Sequence, residues 1–141
     1  MSSDKQLVTR SYGTCCIAPE FFNDFYDNFA SASPKIGEKF KQTDMARQKK
    51  LLREGITYMV MFADGSSIAE RKVRGLGESH SQSRLDIEPG LYELWVNALL
   101  KTIAKHDKAF NPELDKAWRR VLGKGIELMK SMYKSPQPVA V

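Results

Sequence analysis

The sequence predicts an all-α fold, and three observations carry that reading. Apolar residues recur at helical spacing along most of the chain, and sustained two-residue alternation is missing. Helix start and stop signals divide the chain into about seven helices, two short and five longer. Unequal lengths and long connections favour a layered α architecture over an up-down four-helix bundle.

Taken in order, Leu7, Val8, Ser11, Tyr12, Cys15 and Cys16 form an i, i+4 stripe, a first helix of about four turns. Pro19 suits the first turn of a second helix, where a missing N–H costs nothing. Phe21, Phe22, Phe25, Tyr26 and Phe29 then make an aromatic face. The phenylalanines are core candidates, whereas the Tyr26 hydroxyl needs a partner once buried. Ser33-Pro34 reads as an N-cap and first-turn proline opening a short helix through Ile36 to Phe40. Thr43 or Asp44 caps the next helix, from Met45 to about Ala63. Its inner face carries Gln48, Leu51 or Leu52, Gly55, Ile56, Met59 and Val60.

Asp64-Gly65-Ser66-Ser67 ends that helix and opens a segment in which Val73, Leu76 and His80 share one helical face. Pro89 restarts helix, with Leu91, Leu94, Trp95, Ala98, Leu99, Thr102 and Ile103 facing inward. Asn111-Pro112-Glu113 is a cap, a first-turn proline and an acid near the positive end of the helix dipole. Leu114, Trp118, Val121, Leu122, Ile126, Met129 and Met132 follow, and Ser135-Pro136-Gln137-Pro138 stops the helix. Residues 134–141 are expected to form a loose tail.

A length of 141 residues points to a single domain, 1–141, large enough for its own core. No apolar run approaches the roughly 18–20 residues of a membrane span, and no signal peptide opens the chain. A cytoplasmic protein without a membrane partner is expected. Cys15 and Cys16 read as two reduced thiols on a helix, one facing the core. The net charge of +5 comes with acidic residues interleaved and no zinc-finger or RNA-recognition spacing. The charges therefore read as solvated helix faces, with no nucleic-acid partner.

His80 and His106 are the only imidazoles. His106, beside Lys105 near a helix C-terminus, is expected to be a surface cap. For His80, a structural role and a metal-ligand role both stand. Zinc is disfavoured, because one histidine and two adjacent cysteines cannot complete a four-ligand shell. Haem needs only one protein ligand, together with apolar walls, groups for the propionates and a polar side chain across the iron.

The chain resembles the globin family, specifically bacterial single-domain haemoglobins related to the globin domain of flavohaemoglobins, with some likeness to sensor globins. Phe25-Tyr26-Asp27-x-Phe29, Pro34 and Phe40 resemble the family's second and third helices. Thr43-Asp44-Met45-x-x-Gln48-x-x-x-Leu52 resembles the start of its distal helix, with glutamine in place of the usual histidine. Leu76-Gly77-x-x-His80, Ile87-x-Pro89-x-x-Tyr92 and Leu99-Leu100 resemble the proximal region, and Ala117-Trp118 the last helix.

The resemblance implies a three-on-three helical sandwich holding haem b (iron protoporphyrin IX), with His80 as the iron ligand. Ser79 would orient His80 or meet a propionate, and Arg84 would meet a propionate. Phe40, Leu52, Leu76 and Ile87 (or Leu85) would wall the haem, and Tyr92 would line it. Tyr26 and Gln48 would hydrogen-bond a bound gas. The implied function is reversible uptake of dioxygen or another diatomic gas, such as nitric oxide or carbon monoxide, more carrier than enzyme. The alternatives are a nitric-oxide dioxygenase served by a separate reductase and a stand-alone gas sensor. A monomer and a homodimer both fit. Relatives support the proximal histidine with a tyrosine and a glutamate in the last helix; here those positions correspond to Leu122 and Tyr133. A histidine without a carboxylate partner donates less electron density, which lowers the expectation of oxidative chemistry.

Overall fold

A computed structural model describes residues 3–134, in which seven α-helices and no strand occur. They are α1 (Asp4–Cys16), α2 (Phe21–Ala32), α3 (Pro34–Lys39), α4 (Met45–Ala63), α5 (Ser67–Ser79), α6 (Gly90–His106) and α7 (Pro112–Ser131). The expected loose tail lies, from residue 135 onward, outside the described residues. Among the described residues, no helix is long and apolar enough to cross a membrane.

Short polar side chains start five of these helices by occupying otherwise unpaired N–H groups. Ser3 and Gln6 form a reciprocal capping box on α1. Ser33 caps α3, Ser66 caps α5 and Asn111 caps α7. Asp44 rather than Thr43 caps α4, its Oδ1 accepting from the N–H groups of Ala46 at 3.1 Å and Arg47 at 3.3 Å. Pro19 departs from expectation, lying two residues before α2. Phe21 N–H donates to the Ala18 carbonyl at 3.2 Å, closing a turn with Pro19 in its second position. The ring's fixed φ suits that position as well as it suits a helix start.

The helices form two layers of three, α1, α4 and α5 over α2, α6 and α7, with α3 linking them. α4 packs on α5 and α7, while α2 packs on α6 and α3. Neither α4 nor α5 packs substantially on α6. The layers therefore close around α1 and α7 and part between α6 and the α4–α5 pair.

Buried polar groups join elements distant in sequence. The Trp118 indole N–H, fully buried, donates to Ser11 Oγ at 3.0 Å. Tyr12 meets Trp118 edge-on at 6.0 Å and donates to the Arg53 carbonyl at 2.8 Å, joining α1, α7 and α4. Asn28 on α2 donates to Thr102 on α6 at 2.9 Å. Cys15 is buried and Cys16 half-buried, both as free thiols, and burial pushes the Cys15 thiol up to about 12.

His106 is not the surface cap its position suggested. Its Nε2 lies 2.7 Å from Asp24 Oδ2, its ring meets Phe21 edge-on, and its side chain is only 14% exposed. Lys105 reaches the same carboxylate oxygen at 3.0 Å. The last turn of α6 thus grips α2 two residues before Tyr26, because the stacked helices bring both side chains to one carboxylate.

Two outcomes follow from these links. Ser11→Ala leaves the Trp118 indole without its acceptor and should destabilise the fold by about 1–3 kcal/mol in urea unfolding; an unchanged midpoint would show that the bond contributes nothing. Asp24 is held below its ordinary value by Lys105 and then His106. A depressed folded-state pKa contributes stability that is complete above the ordinary value of 3.8 and lost as pH falls through the folded value. Asp24→Asn should therefore lower Tm at pH 7, and the gap to wild type should narrow below about pH 4.

Candidate functional site

His80 caps the C-terminus of α5, and the helix itself sets its ring. The Leu76 carbonyl, one turn back, accepts the His80 backbone N–H at 2.9 Å and lies 2.7 Å from Nδ1. A carbonyl can only accept, so Nδ1 carries the proton and Nε2 keeps its lone pair. Ser79 Oγ stands 3.1 Å from the same Nδ1 and donates to the Leu76 carbonyl at 2.9 Å. Burial holds the His80 pKa below its ordinary value, so the ring is neutral at pH 7, as a metal ligand must be. Tyr92, buried on α6, stacks on the imidazole with centroids 6.5 Å apart. Burial pushes its phenol up to about 12.

The connection after His80 is folded tightly back on it. Ile87 N–H donates to the His80 carbonyl at 3.0 Å, Leu85 N–H to Ser79 at 3.1 Å and Asp86 N–H to Ser81 at 2.9 Å. Asp86 sits at φ +54°, a left-handed conformation that Asp tolerates better than most residues. Two side chains hold it there, and a further bond anchors one of them. Lys39 Nζ donates to its carbonyl at 3.3 Å, the Tyr133 hydroxyl donates to its carboxylate, and Gln82 N–H donates to the Tyr133 carbonyl at 3.0 Å. Tyr133 thus supports the connection rather than the histidine, and its phenol rises to about 12 beside Asp86.

This folding separates two residues that the sequence left open. Leu85 is 59% exposed, whereas Ile87 is half-buried against the core. Along α4, Leu51 is 46% exposed and Leu52 turns inward. Arg84 is exposed, with its guanidinium 3.3 Å from Glu78.

Across the fold, Tyr26 is buried on α2 and its phenol is pushed up to about 12 by burial. Its hydroxyl donates to the Gln48 main-chain carbonyl at 3.3 Å, near the long limit for a hydrogen bond. Phe40 meets Tyr26 edge-on at 5.3 Å and Phe29 at 6.0 Å. Gln48 is half-buried at the start of α4. Gly55 of α4 faces Leu76 of α5, its Cβ position lying at ordinary contact distance, 3.6 Å, from Leu76 Cδ1.

Phe40, Leu52, Leu76 and Ile87 are each large, apolar and only half-buried. They come from four separate segments: the end of α3, α4, α5 and the connection after His80. Side chains of this kind leave apolar area for a flat apolar group to cover. One neutral histidine with a free Nε2 suits a metal whose remaining ligands the group itself provides. Among the described residues, no three His, Cys, Asp or Glu side chains converge as a protein-only metal site. The residues therefore fit haem. Two features escaped the sequence reading: the Leu76 carbonyl is a backbone atom with no sequence signal, and the Asp86–Tyr133 pair spans 47 residues.

The globin family model matches residues 23–127. A crystal structure from Pseudomonas aeruginosa PAO1, described as structurally highly homologous to a human haemoglobin, is 49% identical and superposes with a TM-score of 0.91. The match covers 94% of this chain and all of that one. No curated protein matches the chain. With the helical sandwich and the family match extending over most of its length, the chain belongs to the globin family.

Proposed function

We propose that this chain holds haem b through Nε2 of His80 and reversibly takes up a diatomic gas, dioxygen foremost, on the opposite face. The observation that carries this reading is the 2.7 Å approach of Nδ1 to the Leu76 carbonyl, an acceptor that favours the tautomer with Nε2 as a neutral donor. When bound, haem supplies an iron with an open coordination position for dioxygen, nitric oxide or carbon monoxide.

Each residue then has a physical task. Leu76, Ser79 and Tyr92 fix the plane of the His80 ring. Phe40, Leu52, Leu76 and Ile87 exclude water from the cofactor faces. Arg84, exposed and paired only with an exposed glutamate, can turn to a propionate at little cost. Tyr26 and Gln48 would donate hydrogen bonds to a bound gas. The 3.3 Å bond from Tyr26 to the Gln48 carbonyl is weak enough to be exchanged for that task.

A proton shared with a neutral carbonyl makes His80 a poorer electron donor than one shared with a carboxylate. That favours uptake and release over oxidative turnover. Nitric-oxide consumption that stops after one equivalent with excess reductant present is the expected result; sustained cycling would instead favour a dioxygenase served by a reductase.

Purified protein, or apoprotein given hemin, should show an intense Soret band, and His80→Ala should greatly weaken haem retention. Protein that stays colourless after hemin is added would end the proposal. One hydrogen bond to a charged group contributes about 1.5–3 kcal/mol. Tyr26→Phe should therefore speed dioxygen release about 10- to 150-fold in stopped flow, at about 1.4 kcal/mol per tenfold. An unchanged off-rate would remove Tyr26 from the ligand site.

A further inference from the structure

His80 is held from beyond its own helix as well as from within it. Three consecutive carbonyls, those of Ser79, His80 and Ser81, accept N–H groups from the returning connection: Leu85 at 3.1 Å, Ile87 at 3.0 Å and Asp86 at 2.9 Å, respectively. A helix end leaves its last carbonyls unpaired, so these bonds fix the backbone that carries the His80 ring. The chain folds back this sharply with Asp86 at φ +54°. A left-handed residue with a side chain costs free energy and persists where its surroundings hold it. Tyr133 holds both ends of the connection, its hydroxyl donating to the Asp86 carboxylate and its carbonyl accepting from Gln82 N–H at 3.0 Å. Tyr133 follows Met132, whose side chain lies against Gly77 in the last turn of α5, so the strap and the ligand's helix share one support.

From this arrangement we infer that Asp86 and Tyr133 are positioning residues for the iron ligand: their bond keeps His80 Nδ1 against the Leu76 carbonyl and so sets how firmly Nε2 holds haem iron. The inference rests on the haem reading above. Both side chains act through the backbone of residues 79–81. Without the strap the left-handed turn opens, the end of α5 frays, and the 2.7 Å contact from Nδ1 to the carbonyl lengthens. A metal-bound imidazole is a stronger donor when its N–H has a close acceptor, and groups that orient such a ligand are worth about 10- to 100-fold in metal affinity. The Asp86–Tyr133 bond acts one step further out, at the exposed surface where water competes, so its effect falls at or below the low end of that range.

The test uses the full-length, haem-loaded protein. Tyr133→Phe removes the donor, and Asp86→Gly removes the acceptor while keeping the left-handed turn. Each should lower the iron–histidine stretching frequency of the ferrous form by several wavenumbers in resonance Raman. Each should also speed hemin transfer to an excess of a haem-scavenging apoprotein about three- to tenfold. The double variant should match either single one, because both remove the same bond. Asp86→Asn tolerates the turn and can still accept from Tyr133, so it should stay near wild type on both readouts. Ser11→Ala, which weakens the core between α1 and α7, should leave the frequency unmoved. An unmoved frequency in Tyr133→Phe, a wild-type Asp86→Gly, or an equal shift in Ser11→Ala would overturn the inference. Amide exchange at Leu85, Asp86 and Ile87 should be faster in Tyr133→Phe, and unchanged exchange would overturn the inference too. That exchange reads the strap whether or not haem is bound, so a failed Soret test and a failed strap test remain distinguishable.

Discussion

A Cβ at Gly77 would stand 2.7 Å from the Met132 sulfur and 3.3 Å from the Cα of Met129, so α5 can lie this close on α7 only where a side chain is missing. The methionine end could yield, but the α7 backbone could not. That approach places the last turn of α5, and with it the carbonyl of Leu76 and the ring of His80. Gly125 plays the matching part where α7 meets Met59 of α4, its Cβ position lying 3.2 Å from the methionine side chain. Two small residues thus draw α4, α5 and α7 into one packed unit, while α6 keeps its main contacts with α2.

The separation of these two groups frames the proposed site. On one side, a helix end supplies the acceptor that sets the His80 tautomer, and the following connection is tied down by Lys39 and Tyr133. On the other, a buried tyrosine rests lightly on the start of α4. The proximal partner is a main-chain carbonyl whose position follows from helix geometry alone. The proposed distal donors are side chains held by weaker contacts. In the proposed role, a rigid iron ligand paired with an adaptable polar face would suit reversible binding of a gas.

Electrostatics follows a similar division. The grip of Lys105 and His106 on Asp24 ties α2 to α6 from within, whereas Lys35 and Lys41 around α3 meet Glu88 and Glu38 only at the exposed surface. In sequence the basic residues look dispersed, because acids stand among them. The structure gives the acids of that stretch local work, Asp44 as the α4 cap and Glu38 beside Lys41. Charge read along a chain and charge read over a surface are different quantities.

Much of the fold was legible from local signals, because capping and apolar period act over a few residues. The bounds of α4, the Ser33-Pro34 start of α3 and the Asn111-Pro112 start of α7 all followed from groups within one turn of each other. His80 could likewise be singled out, since a histidine on the apolar face of α5 is visible as spacing and its order relative to Tyr26 and Gln48 resembled a known family. Tertiary structure alone decided which of Leu85 and Ile87 turns inward, that His106 is an internal clasp, and that Tyr133 serves Asp86. Each of these depends on chain segments tens of residues apart meeting in space, and periodicity carries no information about such meetings. The sequence by itself determined the helices and the candidate ligand; packing decided what surrounds that ligand.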